Sequence, residues 1–467
     1  MPQTRRDFFT TSATLAAGFA GLRLASTPRG SAAEATTATA RTTRGAVGEG
    51  FGPLLDDPQG LIDLPRGFSY QVISRVGDEM DDGLLLPGYP DGMTALPGPD
   101  GLTLVMRNHE LYPGQTTAFG EAGERLGKVD ITKLYDPGDG QLPCAGGVST
   151  LVYDTKQKRV VRQFLRLGGT SRNCAGGPTP WGSWITCEET VDSPTYTDRQ
   201  GYQCARDHGY AFDVPATAEP ELLKAEPLRA MGRFRREAVA VDPESGAVYQ
   251  TEDINDGAFY RFLPNEPGNL AAGGKLHALA IKGEPQLDTR NWQEALVVAG
   301  EPKEVEWIDL DDPESPNDDL RYRAFAAGGA RFARGEGIWW SEGGAYFACT
   351  SGGQAEIGQL WRYEADSSGG GGTLELFIEP NDSNLIENAD NLTGAPWGDL
   401  VVCEDRQGDV VRLIGVTPDG ELYPLANNRA RCEFAGVCFS PDQSTLFVNL
   451  QYPGLTLAIT GPWPTSA

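Results

Sequence analysis

A strand-pair unit recurs along this chain of 467 residues, and it restricts the possible folds more than any other feature. In each copy a polar residue precedes a short apolar run, a turn follows, and a second apolar run ends in another polar or acidic residue. Glu237 is followed by Glu252 in this way, and Glu336 by Ser351. The residues that begin the six copies are Asp91, Asn173, Glu237, Glu336, Asn391 and Glu433. The repeat predicts an all-β fold, a β-propeller of six blades with insertions between them.

The runner-up architecture is a large double-sheet β-sandwich, which the recurrence of the unit disfavours. Helical periodicity is nearly absent, and the 59 glycines and 33 prolines supply the turns that many short strands need. We therefore interpret residues 47–467 as a single β-propeller domain.

The leading residues of the six units predict a central metal site. In a propeller the innermost strand of each blade starts at the central channel, so one polar residue per blade would form a ring. Carboxylates crowded into such a ring repel one another, and a bound multivalent cation is the natural compensation. Oxygen ligands of this kind suit calcium or another hard ion.

The charge of the chain excludes some partners. It carries 65 acidic and 39 basic residues, a formal net charge of −26, which opposes nucleic acids and anionic membrane surfaces. About ten of the carboxylates suffice for several hard ions, and the others would keep the surface soluble.

Histidine and cysteine spacing argues against a zinc site of the usual kind. The three histidines, His109, His208 and His277, form neither HxxxH nor HxH, and the eight cysteines form no CxxC pair. Cys349, Cys403 and Cys438 lie in apolar, strand-like runs, where buried structural cysteines are usual. Serine-hydrolase elbows, P-loops and dinucleotide fingerprints are missing from the sequence.

The N-terminus has the layout of an export signal. Arg5 and Arg6 precede a short run rich in Ala, Gly and Thr, as in twin-arginine signals. That run is too short to span a bilayer, so no membrane span is predicted. We interpret residues 1–46 as signal peptide and flexible leader. The prediction is export in folded form by the twin-arginine machinery to the periplasm or beyond, as a monomer.

Seven segments of the chain resemble the PhoX-type alkaline phosphatases. They are DGM (91–93), RNHE (107–110), GGVST (146–150), RNCAGGPTPWGSWITCEE (172–189), RREAVAVDP (235–243), RGEG (334–337) and FAGVCFSPD (434–442). The resemblance implies an exported β-propeller phosphomonoesterase whose central site holds iron and calcium, and whose substrates are small phosphate esters.

The resemblance also implies roles for individual residues. Cys174 would be a thiolate ligand to iron, Glu237 and Glu336 would bind or bridge iron, and Arg334 would bind the phosphate. Of these, Arg334, Glu336 and Cys174 would be the catalytic set. His109 would support the site from behind. The expected calcium ligands are Glu188, Asn108, Glu110, Asp390, Glu404 and Asp405.

Two other functions stay open on the sequence. The first is a calcium-stabilised propeller that binds a ligand without turnover, and the second is a phosphodiesterase that uses the same cluster. Cys174 and Arg334 favour an enzyme, because a purely structural calcium site needs neither a thiolate nor a guanidinium.

Overall fold

The computed structural model describes residues 45–112, 115–195, 202–341, 344–366 and 369–464. The predicted signal, residues 1–46, therefore lies almost wholly outside the described residues. The described residues contain one short α-helix, α1 (Leu320–Ala326), and five short 3-10 helices, and are otherwise built from β-strands and loops. None of the helices in the described ranges has the length and apolar character needed to cross a bilayer.

The strands of the described residues are numbered in chain order. They are β1 (Leu54–Leu55), β2 (Ile62–Pro65), β3 (Ser69–Arg75), β4 (Pro90–Pro97), β5 (Thr103–His109), β6 (Gly146–Asp154), β7 (Arg159–Thr170), β8 (Asn173–Pro178), β9 (Ser183–Glu188), β10 (Ala211–Pro215), β11 (Arg236–Val241), β12 (Val248–Glu252), β13 (Tyr260–Pro264), β14 (Gly274–Ile281), β15 (Lys303–Leu310), β16 (Gly335–Ser341), β17 (Gly344–Cys349), β18 (Gln359–Ala365), β19 (Gly372–Ile378), β20 (Ala389–Gly394), β21 (Leu400–Glu404), β22 (Val411–Val416), β23 (Leu422–Asn428), β24 (Phe434–Phe439), β25 (Thr445–Leu450) and β26 (Leu455–Thr460).

These strands form antiparallel meanders arranged around a centre. Blade 1 is β4–β7, blade 2 is β8–β10, blade 3 is β11–β14 and blade 4 is β16–β19. Blade 5 is β20–β23 extended by β2 and β1, and blade 6 is β24–β26 completed by β3. The innermost strands β4, β8, β11, β16, β20 and β24 contact one another in that cyclic order, and β24 returns to β4. The ring is closed, which confirms the predicted β-propeller.

The number of separate sheets differs from the predicted six. Strand β15 pairs with β14 on one side and with β19 on the other, so blades 3 and 4 form one nine-stranded sheet. The described residues therefore form five hydrogen-bonded sheets around six innermost strands. Blade 6 joins both ends of the chain, because β3 pairs with β26 in a register that places Ser69 opposite Thr460.

Apolar side chains between neighbouring blades form the core. Between blades 3 and 4 the rings of Phe259 and Phe347 stack with centroids 4.4 Å apart, and Trp361 is fully buried beside them. Such rings bury large apolar areas and prefer offset or edge contacts, so they fix the spacing between blades. The predicted buried cysteines Cys349, Cys403 and Cys438 lie in these inter-blade layers as free thiols.

Candidate metal centre

One position of the repeat faces the centre in every blade. In five blades it is the second residue of the innermost strand, and in blade 6 it is the residue before β24. The six residues are Asp91, Cys174, Glu237, Glu336, Asp390 and Glu433.

A β-bulge re-aims the chain at this position. In blade 1 Pro90 pairs with His109 but Met93 pairs with Arg107, so β4 carries one extra residue around Asp91. Blades 2 to 5 have the same shift around their ring residue, and in blade 6 the shift lies two residues beyond Glu433, between Ala435 and Cys438. Bulges turn a side chain out of the regular alternation of a strand, and they are frequent beside functional sites.

A second row of polar residues comes from the end of the next strand. Glu110, Glu189, Asp253 and Asp405 each follow the second strand of their blade directly. Their backbone N–H groups donate to the carbonyls of Tyr89, Arg172, Arg235 and Asn388 respectively, at 2.9–3.0 Å. Each acceptor precedes the first-row residue of its blade by two positions. One repeated hydrogen bond therefore ties both rows together.

The two rows form a continuous cluster of possible ligand atoms. Cys174, Glu189 and Glu237 have ligand atoms within 4.8 Å of one another. The same holds for Glu237 with Glu336 and Asp390, and for Asp390 with Asp405 and Glu433, so the three groups share members. On the other side of the ring, Gln451 Nε2 donates to Asp91 Oδ2 at 3.2 Å and to Glu110 Oε2 at 3.1 Å.

Burial and mutual repulsion raise the pKa values of acidic groups in the cluster. Burial, together with the negative charge of Asp405, raises the pKa of Asp390 to about 8. Burial and neighbouring carboxylates also raise the pKa of Glu237, Glu336 and Glu433 well above the usual value. The thiol pKa of Cys174 is raised for the same reasons. A bound cation would reverse these shifts, since it favours the charged form of each group.

Two arginines approach this cluster from opposite directions. Arg334 donates through Nε and Nη2 to both oxygens of Asp253, at 2.7 and 2.9 Å, and through Nη2 to Glu336 Oε1 at 2.9 Å. Arg172 bridges Glu110 and Glu189. The side chain of Arg334 is 36% exposed, so its guanidinium lies at the solvent side of the buried acids.

The structure brings together most of the residues named from the sequence. Cys174, Glu237, Glu336, Asp390, Asp405 and Glu110 belong to the two rows, and Arg334 contacts two of their members.

Glu188 and Glu404 are not brought to the cluster. Glu188 accepts hydrogen bonds from the backbone N–H groups of Ser171, Gly209 and Tyr210 and contacts His208. Glu404 forms a buried ion pair with Arg412. Both are the last residue of a second strand. Because side chains alternate between the two faces of a strand, the cluster receives the next residue instead.

The three asparagines named from the sequence have structural contacts. Asn108 Oδ1 accepts from Trp184 and Thr186, while its Nδ2 donates to the carbonyls of Cys174 and Ala175. Both the oxygen and the nitrogen of the Asn108 side chain therefore have protein partners. Asn108 fixes the Cys174 backbone and is not placed as a cation ligand. Asn173 bonds Thr170 and Thr186, and Asn391 accepts from the Gly436 backbone. Their neighbours Cys174 and Asp390 occupy the ring positions.

His109 lies behind the cluster as a neutral ring. Its Nδ1 faces the Gly88 carbonyl at 3.0 Å and its Nε2 faces Ser149 Oγ at 2.8 Å. Burial and the charge of Arg107 lower the pKa of His109 to about 3.

Sequence reasoning did not find Glu189, Asp253 or Arg172. Glu189 and Asp253 are the second members of the acidic pairs 188–189 and 252–253, as Asp405 is of the pair 404–405. The recurrence of such acidic pairs is the sequence signal that could have identified Glu189 and Asp253. Arg172 occupies the same place relative to Cys174 that Arg334 occupies relative to Glu336, two residues earlier, and both have positive φ.

A closed β-propeller with a buried ring of carboxylates and one thiol offers donor groups that could hold metal ions. Residues 49–454 match the family model described as Alkaline phosphatase PhoX, and the chain belongs to this family. It is accordingly a hydrolase of the phosphatase class. No curated protein matches the chain.

Among solved structures, the chain is similar to Pseudomonas fluorescens PhoX in complex with vanadate, a transition-state analogue. The TM-score is 0.65 at 19% identity, over 86% of this chain and 96% of that one. A gluconolactonase from Xanthomonas campestris matches at 11% identity and a TM-score of 0.40, over 88% of this chain and 98% of that one. The first likeness supports the propeller fold.

Proposed function

We propose that the protein is an exported, metal-dependent phosphomonoesterase that releases phosphate from small organic phosphate esters. The observation that carries this proposal is the continuous cluster of buried carboxylates and Cys174, with the partly exposed guanidinium of Arg334 at its solvent side. It agrees with membership of the alkaline phosphatase family.

The donor atoms fit both iron and calcium. Cys174 with Glu189 and Glu237 offers one sulfur and carboxylate oxygens, a mixed set that iron accepts. Asp390, Asp405 and Glu433 offer oxygen alone, as calcium prefers. A third group links the sulfur-containing set to the oxygen-only set, because it shares one member with each; it consists of Glu237, Glu336 and Asp390. When bound, such ions would supply positive charge for phosphate oxygens and lower the pKa of a water that attacks phosphorus.

Arg334 would bind the phosphate. A guanidinium presents a planar fork of donors that matches phosphoryl oxygens. Asp253 holds the fork from one side with two hydrogen bonds, so Asp253 positions Arg334. Arg172 could act similarly on the side of Glu110 and Glu189.

A chain of net charge −26 repels an anionic substrate unless the electrostatic potential at the site itself is positive. Metal ions and two arginines at the cluster would create that positive potential locally. A doubly charged monoester gains more from it than a singly charged diester, which favours monoesterase activity over the phosphodiesterase alternative.

Metal analysis combined with an aryl phosphate assay tests the proposal. The wild-type protein should contain iron and calcium and hydrolyse the substrate at alkaline pH. Cys174→Ala should lose iron and most of its activity. Cys438→Ala is the matched control, because Cys438 is equally buried but packs in the apolar layer between blades 6 and 1.

Three outcomes would contradict the proposal. Calcium without iron and no hydrolysis would indicate a non-catalytic binding propeller. Faster hydrolysis of an aryl phosphodiester than of the monoester would indicate a phosphodiesterase. Equal iron and activity in Cys174→Ala and Cys438→Ala would remove the assigned role of Cys174. Export is tested separately, by replacing Arg5 and Arg6 with lysine and locating the protein.

A further inference from the structure

A second group of metal-ligating side chains lies apart from the central cluster. Asp136 and Cys144 belong to the connection between β5 and β6, and His208 belongs to the connection between β9 and β10. Their ligand atoms lie within 4.8 Å of one another, and all three side chains are buried. The donors come from separate segments, so no short spacing motif marks them in the sequence.

The distances within this group match tetrahedral zinc coordination. His208 Nε2 lies 3.5 Å from Cys144 Sγ and 3.3 Å from Asp136 Oδ2. Zinc bonds of about 2.3 Å to sulfur and about 2.0 Å to nitrogen and oxygen, at tetrahedral angles, place these pairs about 3.5 Å and about 3.3 Å apart. A nitrogen, a sulfur and a carboxylate oxygen are also the ligands that zinc selects.

Two of the three donor atoms share one nitrogen of His208, and Cys144 Sγ also lies 3.0 Å from the Tyr202 hydroxyl. His208 Nε2 carries at most one proton, yet both the sulfur of Cys144 and Oδ2 of Asp136 converge on it. That Asp136 oxygen is fixed in place by the backbone N–H groups of Ala205 and Arg206. One cation between the three donors would take all of them as ligands in place of the contacts shared at His208 Nε2.

The surroundings of His208 are those of a metal ligand. Its Nδ1 lies 2.7 Å from Glu188 Oε1, and three backbone N–H groups hold the Glu188 carboxylate in place. A carboxylate that accepts from the outer nitrogen of a histidine fixes the tautomer that presents the other nitrogen to a metal.

Cys204 is the candidate for the fourth ligand. It is buried, and its neighbour Ala205 donates to Asp136. The group within 4.8 Å consists of Asp136, Cys144 and His208, so coordination by Cys204 requires its sulfur to approach these three. Four protein ligands in a closed, buried site are typical of structural zinc.

We propose that Asp136, Cys144 and His208 bind a structural zinc ion that ties the long connection of blade 1 to that of blade 2. Through the contact of His208 with Glu188, the ion would also fix the position of Glu188, whose chain neighbour Glu189 belongs to the central cluster.

Zinc content and zinc X-ray absorption of the wild-type protein, purified from cells in its exported form, test the proposal without any variant. The expected result is one equivalent of zinc with sulfur at about 2.3 Å and nitrogen or oxygen at about 2.0 Å. Among variants, His208→Gln and Cys144→Ser should each lose that equivalent. Cys174→Ala and Cys438→Ser should keep it, which separates this site from the central one.

Several results would overturn the proposal. They are wild-type protein without zinc, zinc retained in both His208→Gln and Cys144→Ser, or a Cys144–Cys204 disulfide found by peptide mapping under non-reducing conditions. If the variants do not fold, the wild-type absorption spectrum still decides, because zinc without a sulfur neighbour contradicts the assignment.

Discussion

At the ends of two strands, adjacent acidic residues point to opposite faces of the sheet and make different contacts. Glu188 points to His208 and the backbone around it, while Glu189 points to the central cluster with Cys174. The same division separates Glu404, paired with Arg412, from Asp405. At this scale a shift of one residue decides between a structural contact and a place in the central cluster.

Among single residues, Arg334 is the one whose replacement tests the proposed activity most directly. Arg334→Lys keeps the charge but loses the planar fork that pairs with Asp253 and would pair with phosphate. We expect kcat/KM for an aryl phosphate to fall by about 100-fold, the effect typical of removing one donor to transition-state charge.

Arg235→Lys is the matched control for that prediction. Arg235 has the equivalent place in blade 3, two residues before Glu237, but its guanidinium pairs with Asp318. Its replacement should leave kcat/KM within about twofold of wild type, as surface ion pairs contribute little. Equal losses in both variants would show a structural effect instead of phosphate binding.

The element that builds the site is the bulged innermost strand. Six strands in cyclic contact bring together residues that are far apart in sequence, and in five blades a bulge turns one side chain to the centre. Close approach between neighbouring strands needs glycine at several of these bulges. At Gly337 an added Cβ would lie 2.7 Å from the Asp390 carbonyl oxygen and 2.8 Å from the Asn391 Cα.

Gly337→Ala should therefore destabilise the contact between blades 4 and 5. The neighbours of the added carbon are backbone atoms of β20, which cannot rotate away. We expect a loss of about 1–3 kcal/mol, the usual cost of overpacking, with a lower thermal midpoint and weaker metal retention. Gly127→Ala is the control, since no atom lies within 4 Å of its added Cβ. An unchanged midpoint in Gly337→Ala would contradict the strand geometry.

The repeat predicted these strands well and their central residues less well. Apolar runs and turn residues at steady spacing are enough to indicate blades, and ring positions such as Glu237 and Glu336 followed directly. The repeat alone places Asn173 and Asn391 in the ring, whereas the family resemblance supplies Cys174 and Asp390. The repeat misses them because a bulge shifts the alternation by one residue, and bulges leave no regular mark in a sequence. His208 and Cys144 meet only through the packing of two long connections.

At the scale of the whole molecule, acidity is divided between the surface and the centre. Exposed carboxylates keep a protein of net charge −26 soluble, while the buried ones concentrate negative charge where the six blades meet. The closed ring, completed by the pairing of β3 with β26, holds that charge together. Folding without a cation therefore works against electrostatic repulsion at the centre.

The metal-free protein should lose stability as the pH rises. In the folded chain the pKa of Asp390 is raised to about 8, and that of Glu237 and Glu336 is also raised, whereas in the unfolded chain these groups titrate near pH 4. Between those values the folded state binds more protons, so their contribution to stability is complete at low pH and disappears as the pH rises through 8. Each such group lowers the free energy of unfolding by up to about 1.4 kcal/mol for every pH unit between the two pKa values.

Thermal unfolding of chelator-treated and metal-loaded protein between pH 5 and pH 9 measures this effect. The midpoint of the metal-free protein should fall across this range, and added calcium and iron should reduce the fall because bound cations stabilise the ionised carboxylates. Asp390→Asn, treated in the same way, should show a shallower slope, since one raised carboxyl is removed from the cluster. A metal-free midpoint that rises with pH would mean that the central carboxylates have enough positive partners within the protein, and that the ring does not need a metal.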